Sequence, residues 1–207
     1  MRNLQSPKKA GVQIFCFSVF VFSISLDPSI APYALQKLYT RWSPPQTIPG
    51  YAPETFPPIL IADQNRMVHA FSSQWVGGVV GSASTRAIIY NQWTLEQGWT
   101  EPIDILLSPI KDARVTDAYL DKNGFIHVVF FGGDGTDANI YYSKPPAVIA
   151  DNASSWSSPV IIGENAGDPE GAVFAETDQG TLHVIYNGRA AGNGLYVVNS
   201  TDGGETW

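Results

Sequence analysis

Cysteine is nearly absent. The one residue among 207 is Cys16, inside an apolar stretch, so the rest of the chain has neither a disulfide framework nor a cysteine-ligated metal site available to it. Positive charge is scarce too. Arg2, Lys8 and Lys9 precede every acidic residue, and from Asp27 onward nine Lys/Arg face nineteen Asp/Glu, a balance of −10. A surface of that sign repels phosphate backbones, which excludes nucleic acid as an expected partner. Charged residues make up 15% of the chain and hydrophobic ones 44%, which excludes a disordered tail. Helical periodicity is missing as well. Aromatics instead reach 12%, and Gly (19) and Pro (15) punctuate the whole length. Together these favour short strands joined by many turns, an all-β fold.

Residues 10–26 read AGVQIFCFSVFVFSISL and follow a short basic region. That is the layout of a secretory signal peptide, and 17 residues lie at the short limit of a membrane span. Residues 1–34 are therefore expected to be a signal peptide, or an uncleaved anchor with a short linker. The protein would be secreted or otherwise extracytoplasmic, with a membrane tether through 10–26 as the other option.

Beyond this segment the chain repeats itself. Trp42-Ser-Pro-Pro, Trp99-Thr-Glu-Pro, Trp156-Ser-Ser-Pro and Trp207 stand 57, 57 and 51 residues apart. The only three histidines keep the same step, as Asp63…His69, Asp121…His127 and Asp178…His183. An aromatic strand precedes each later Trp: Ile89-Tyr90, Ile140-Tyr141-Tyr142 and Leu195-Tyr196. A shared period of this length, without helical patterning, marks repeated β units. The second unit is expected to hold four strands near 115–120, 125–131, 140–143 and 156–162, with Asp121-Lys-Asn-Gly124 as a hairpin turn. Its second strand, Phe-Ile-His-Val-Val-Phe-Phe, is apolar on both faces and so is expected to be covered on both. Four-stranded units that cover one another are the blades of a β-propeller. Repeats then fall near 50–106, 107–163 and 164–207, making 35–207 a partial propeller of about three blades. Trp42, which has no blade before it, suggests that 38–48 is a strand that completes a final blade on ring closure.

The segment Ser200-Thr-Asp202-Gly-Gly204-Glu-Thr206-Trp207 fills every fixed position of Ser-x-Asp-x-Gly-x-Thr-Trp. It resembles the Asp-box, or bacterial-neuraminidase repeat, of the sialidase superfamily. The resemblance implies a six-bladed ring of which this chain is an N-terminal portion. It further implies a glycoside hydrolase of the exo-sialidase type in the complete protein, acting on glycoconjugates, with a non-catalytic propeller that binds a glycan or protein as the alternative. The Asp-box itself is a turn device, so activity must be argued from a site. The family holds its substrate carboxylate with an arginine cluster and uses a Tyr/Glu pair and an Asp. Its Phe/Tyr-Arg-Ile-Pro motif is missing here. The nearest arginines, Arg41 and Arg66, do not match it, and Arg66 stands where the other repeats have Gly124 and Gly180. The family's later residues fall beyond this portion, which alone is expected to be inactive. Its open blade edge is also expected to make it behave poorly in isolation.

The candidate ligand residues are Asp112, Asp117, Asp168 and Glu170, near the starts of inner strands that face a propeller's channel. Asp134, Asp137 and Asn139 alternate oxygen ligands as a Ca²⁺ loop does, but lack its distal Glu; a polar hairpin is the simpler reading, and no cofactor or metal is required. The recurring histidines read first as packing elements of the second strands. Asn152 and Asn199 fit glycosylation acceptors.

Overall fold

A computed structural model of the chain describes residues 44–51, 55–77, 85–108, 112–133, 138–167 and 171–207. The chain divides into Met1–Gln46 and Thr47–Trp207, and every described strand belongs to the second unit. The expected signal segment, Arg41, Trp42, Asp134, Asp137, Asp168 and Glu170 lie outside the described residues. Of the strand expected at 38–48, the described residues 44–48 are not in strand conformation. Among the described residues no helix is long and apolar enough to cross a membrane.

Three antiparallel sheets follow one another along the chain. Sheet 1 contains β1 (Ile59–Ala62), β2 (Val68–Val76), β3 (Thr85–Thr94), β4 (Gly98–Trp99) and β5 (Ile103–Leu107). Sheet 2 is the meander β6 (Ala113–Leu120), β7 (Ile126–Gly132), β8 (Ala138–Ser143) and β9 (Val160–Gly167). Sheet 3 contains β10 (Ala172–Glu176), β11 (Leu182–Gly188) and β12 (Gly194–Ser200). The last strand of sheet 2 starts at Val160, later than the repeat pattern places it. Residues 144–155 form two single-turn 3₁₀ segments, Ala147–Ile149 and Ala153–Ser155, and Asn152 caps the second through the Ser154 amide (3.0 Å).

The first hairpin of each sheet turns on one side chain. Asp63 Oδ1 accepts the amides of Asn65 and Met67 (both 2.8 Å), and Asp121 Oδ1 accepts those of Asn123 (2.9 Å) and Phe125 (2.8 Å). The chain then passes through positive φ at Arg66 (65°), Gly124 (83°) and Gly180 (83°). In sheet 3 the accepting side chain is Thr177, whose hydroxyl takes the Thr181 amide (3.2 Å). Thr177, not Asp178, is thus the equivalent of Asp63 and Asp121. The sequence agrees, since each of the three lies six residues before its histidine.

Side chains of β7 alternate between two neighbours. Ile126, Val128 and Phe130 pack with Phe71, Ile88 and Tyr90 of sheet 1, while Val129 joins Ile140 and Tyr142 against Ala172, Val184 and Tyr186 of sheet 3. A strand buried on both faces has no polar side to show, which explains a sequence that is apolar apart from the buried His127. Each fully buried aliphatic or aromatic side chain here contributes about 1.5–3 kcal/mol. The repeat tryptophans reach backward. Trp156, at the end of the 144–155 insertion, lies edge-on to Phe71 (6.0 Å) and Tyr90 (6.3 Å) of sheet 1, and donates its indole N–H to Ala150 O (3.0 Å). Trp207, after β12, lies edge-on to Tyr142 of sheet 2 (4.9 Å).

The turn that brings Trp207 there is built on Asp202. Thr206 donates its hydroxyl to Asp202 Oδ2 (2.6 Å) and its amide to Oδ1 (3.0 Å), and the Ser200 hydroxyl donates to Oδ1 (2.7 Å). These donors, the Thr206 hydroxyl foremost, hold the Asp202 carboxyl well below the usual carboxylate range. Ser200 Oγ also accepts the Gly204 amide (2.8 Å). Gly204 has φ +86°, and a β-carbon there would collide with the Tyr142 phenol. Ser200, Asp202, Gly204, Thr206 and Trp207 therefore act on chain path and packing.

Candidate functional site

The antiparallel pairing puts the starts of β1, β6 and β10, the ends of β2, β7 and β11, and the starts of β3, β8 and β12 at one end of their sheets. Two arginines stand at this end, each held by register against an aromatic side chain. Arg86, second in β3, pairs with Trp75 of β2, and its guanidinium lies 4.4 Å from the indole centroid. Arg114, second in β6, pairs with Phe131 of β7, at 5.4 Å. Phe56, just before β1, lies between the two, 4.7 Å from Arg86 and 4.5 Å from Arg114. Stacking of this kind contributes about 0.5–2 kcal/mol per pair and fixes where each planar cation points. Phe56 is itself held in place. Its amide donates to Ser73 O (3.1 Å) and its carbonyl accepts from the Ser72 hydroxyl (2.5 Å).

Of the predicted site residues, Asp112 belongs to this cluster. It accepts the Arg86 amide (3.1 Å) and lies 3.6 Å from the Arg86 guanidinium. Arg86 is thus partly neutralised, whereas Arg114 makes no ion pair among the described residues. A cavity of about 250 Å³ opens beside Arg114, lined by Phe56, Pro57, Ile59, Val115, Thr116 and Gly171. Asp117 is not brought to the same place. It sits at the irregularity in β6, and its carboxylate accepts the amides of Ala118 (2.9 Å) and Phe174 (2.8 Å), tying sheet 2 to sheet 3. Burial raises its carboxyl, and the two amides oppose that rise. Arg66 occupies the left-handed turn position and takes no part in the cluster.

A tyrosine–glutamate pair does exist, at the other end of the sheets. Tyr119 donates to Glu176 Oε2 (2.5 Å), near the ends of β6 and β10. That hydrogen bond, with burial, pushes the phenol up to about 12, so it stays protonated at neutral pH. Arg114 and Tyr119 are five residues apart on one strand, about 16 Å at the rise of a β-strand. The pair and the arginines cannot grip one sugar ring.

Arg86, Arg114, Trp75 and Phe56 escape a reading by motif because their grouping depends on strand register. The signal that could reveal them is positional: Thr-Arg-Ala-Ile-Ile-Tyr and Ala-Arg-Val-Thr-Asp-Ala-Tyr both carry arginine as the second residue of a strand that begins at the same end.

No protein-family model and no curated protein matches the chain. Among solved structures it is similar to a protein of unknown function from Dyadobacter fermentans, with a TM-score of 0.53 and 17% identity over 73% of this chain. It is also similar to the Hadza microbial sialidase Hz136, with a TM-score of 0.50 and 15% identity over 74% of this chain. The chain spans 48% of the first and 32% of the second. At such identities the likeness is one of fold alone: nearly all-β and built of successive antiparallel sheets.

Proposed function

We propose that this chain is part of an exported, glycan-directed propeller of the sialidase-like, Asp-box kind, and that the complete protein hydrolyses glycosidic bonds of the exo-sialidase type. The observation that carries the reading is the pair of guanidiniums, Arg86 and Arg114, held on either side of Phe56 at one end of the sheets. Planar, preorganised guanidiniums suit a carboxylate, and the exposed Trp75 beside them suits the apolar side of a sugar ring. The Ser200–Trp207 turn and the fold likeness to a sialidase support the same class. Residues 10–26 supply the export signal or tether in this reading.

The test is direct. The complete protein is expected to release fluorophore from a sialoside, and Arg114→Ala to weaken sialoside binding by roughly 10–100-fold, the worth of one charge-assisted contact. Turnover that is unchanged in both Arg86→Ala and Arg114→Ala would sink the assignment. The second reading, a propeller that binds a glycan without cleaving it, draws on one observation: the Tyr119–Glu176 pair is remote from the arginines and its phenol is held protonated. Retained glycan binding with no turnover of sialosides or neutral glycosides selects it.

A further inference from the structure

The connection between β11 and β12, residues 189–193, is fastened to its own sheet by one phenol. Tyr196 stacks on Tyr186 (5.7 Å between centroids, 19° between planes), and its hydroxyl accepts the Ala191 amide (2.8 Å) while donating to the Gly192 carbonyl (2.6 Å). Gly188 allows the close approach, since a β-carbon there would lie 3.0 Å from Tyr186 and 3.2 Å from Tyr196. Beside this fastened connection lies a cavity of about 380 Å³, lined by Ala166, Asn187, Arg189, Asn193 and Leu195 among others. That volume falls within the roughly 300–1,000 Å³ of small-molecule sites. Its lining holds one guanidinium, two carboxamides and an apolar wall, Leu195 being 80% exposed, and no carboxylate among the described residues. Asn187 is positioned by the Gly171 amide, which donates to its Oδ1 (3.3 Å).

We propose that this cavity is a subsite for a neutral pyranose, a second sugar of the same glycan; it rests on the glycan-directed reading above. The Arg189 fork matches two adjacent ring hydroxyls, and carboxamides both donate to and accept from hydroxyls. Leu195 offers an apolar surface to the C–H face of the ring. The preorganisation by Tyr196 means that little loop order is lost on binding.

The experiment uses the full chain labelled with ¹⁵N, titrated separately with methyl β-D-galactopyranoside and with the methyl glycoside of N-acetylneuraminic acid. The neutral glycoside is expected to shift the Asn187 and Asn193 carboxamide signals and the Arg189 Nε–H saturably. Arg189→Ala and Asn193→Ala, both at exposed positions, should each weaken that binding about tenfold while leaving the melting temperature nearly unchanged. Arg114→Ala should leave it intact, which separates this proposal from failure of the Arg86–Arg114 reading. Signals that stay still, that move equally in both cavity variants, or that respond more strongly to the acidic sugar would overturn it.

Discussion

His69 and His127 are fully buried, and each touches two polar partners. Nδ1 meets the hydroxyl of Tyr90 (2.8 Å) or Tyr142 (2.7 Å), and Nε2 lies 3.8 Å from Asp63 or 3.4 Å from Asp121. Desolvation by burial lowers both imidazoles, and the carboxylates only partly oppose it. The sign follows. Above about pH 6.5 neither folded nor unfolded histidine is charged, and stability is at its full value. Below it the unfolded chain takes up protons that the folded chain refuses, so stability falls as pH drops from about 6.5 toward the lowered folded values. Melting temperatures measured between pH 8 and pH 5 should show this decline, and His127→Gln should make it shallower; an unchanged slope would remove His127 as a contributor. At the same scale, Gly203 and Gly204 separate backbone strain from collision. Both have positive φ, but only at Gly204 would a methyl group meet Tyr142. Gly203→Ala should cost about 1–2 kcal/mol, and Gly204→Ala clearly more, as read from chemical denaturation.

Among elements, the segment carrying Trp156 adds to the join between sheets 1 and 2. Trp156→Ala removes the edge contacts to Phe71 and Tyr90 and the hydrogen bond to Ala150, and should cost about 3–5 kcal/mol. Loss of near-ultraviolet circular dichroism at unchanged strand content would be its mark, and a wild-type melting curve would contradict it. The same element shows what is legible in a sequence. The Trp period, the Asp-Lys-Asn-Gly turn and the doubly apolar β7 are local patterns, and the all-β sheets follow from them. The third sheet misleads because Asp178 imitates the turn aspartate while Thr177 does its work, and because Val197, not Tyr196, stands in register where Tyr90 and Tyr142 stand. The Asp–His–Tyr arrangement of the first two sheets is therefore not repeated in the third. The arginine–aromatic cluster was not readable, since Trp75↔Arg86 and Phe131↔Arg114 are pairings of register rather than of spacing. Asp112 and Asp117 are both singled out by their places near a strand start; the structure sets Asp112 beside Arg86, whereas Asp117 binds the amides of Ala118 and of Phe174 in the neighbouring sheet.

For the molecule as a whole, the outer face of sheet 3 sets behaviour in solution. Val173, Ile185 and Val197 lie in one cross-strand row and are 55%, 42% and 56% exposed, with Leu195 nearby. The equivalent row of sheet 2, which contains Val129 and Tyr142, is covered by sheet 3. An apolar row of this kind, on a sheet face without a neighbour among the described residues, should bind a hydrophobic dye and promote association. Ile185→Lys with Val197→Glu should lower dye fluorescence and the concentration dependence of sedimentation without altering the far-ultraviolet spectrum. Unchanged association would place the sticky surface elsewhere.

The backward reach of Trp156 and Trp207 gives the array a direction, as overlapping roof tiles have. Trp156 lies over sheet 1 and Trp207 over sheet 2, so lifting Trp156 uncovers Phe71 and Tyr90, and removing the tail that ends in Trp207 uncovers Tyr142 of the preceding sheet.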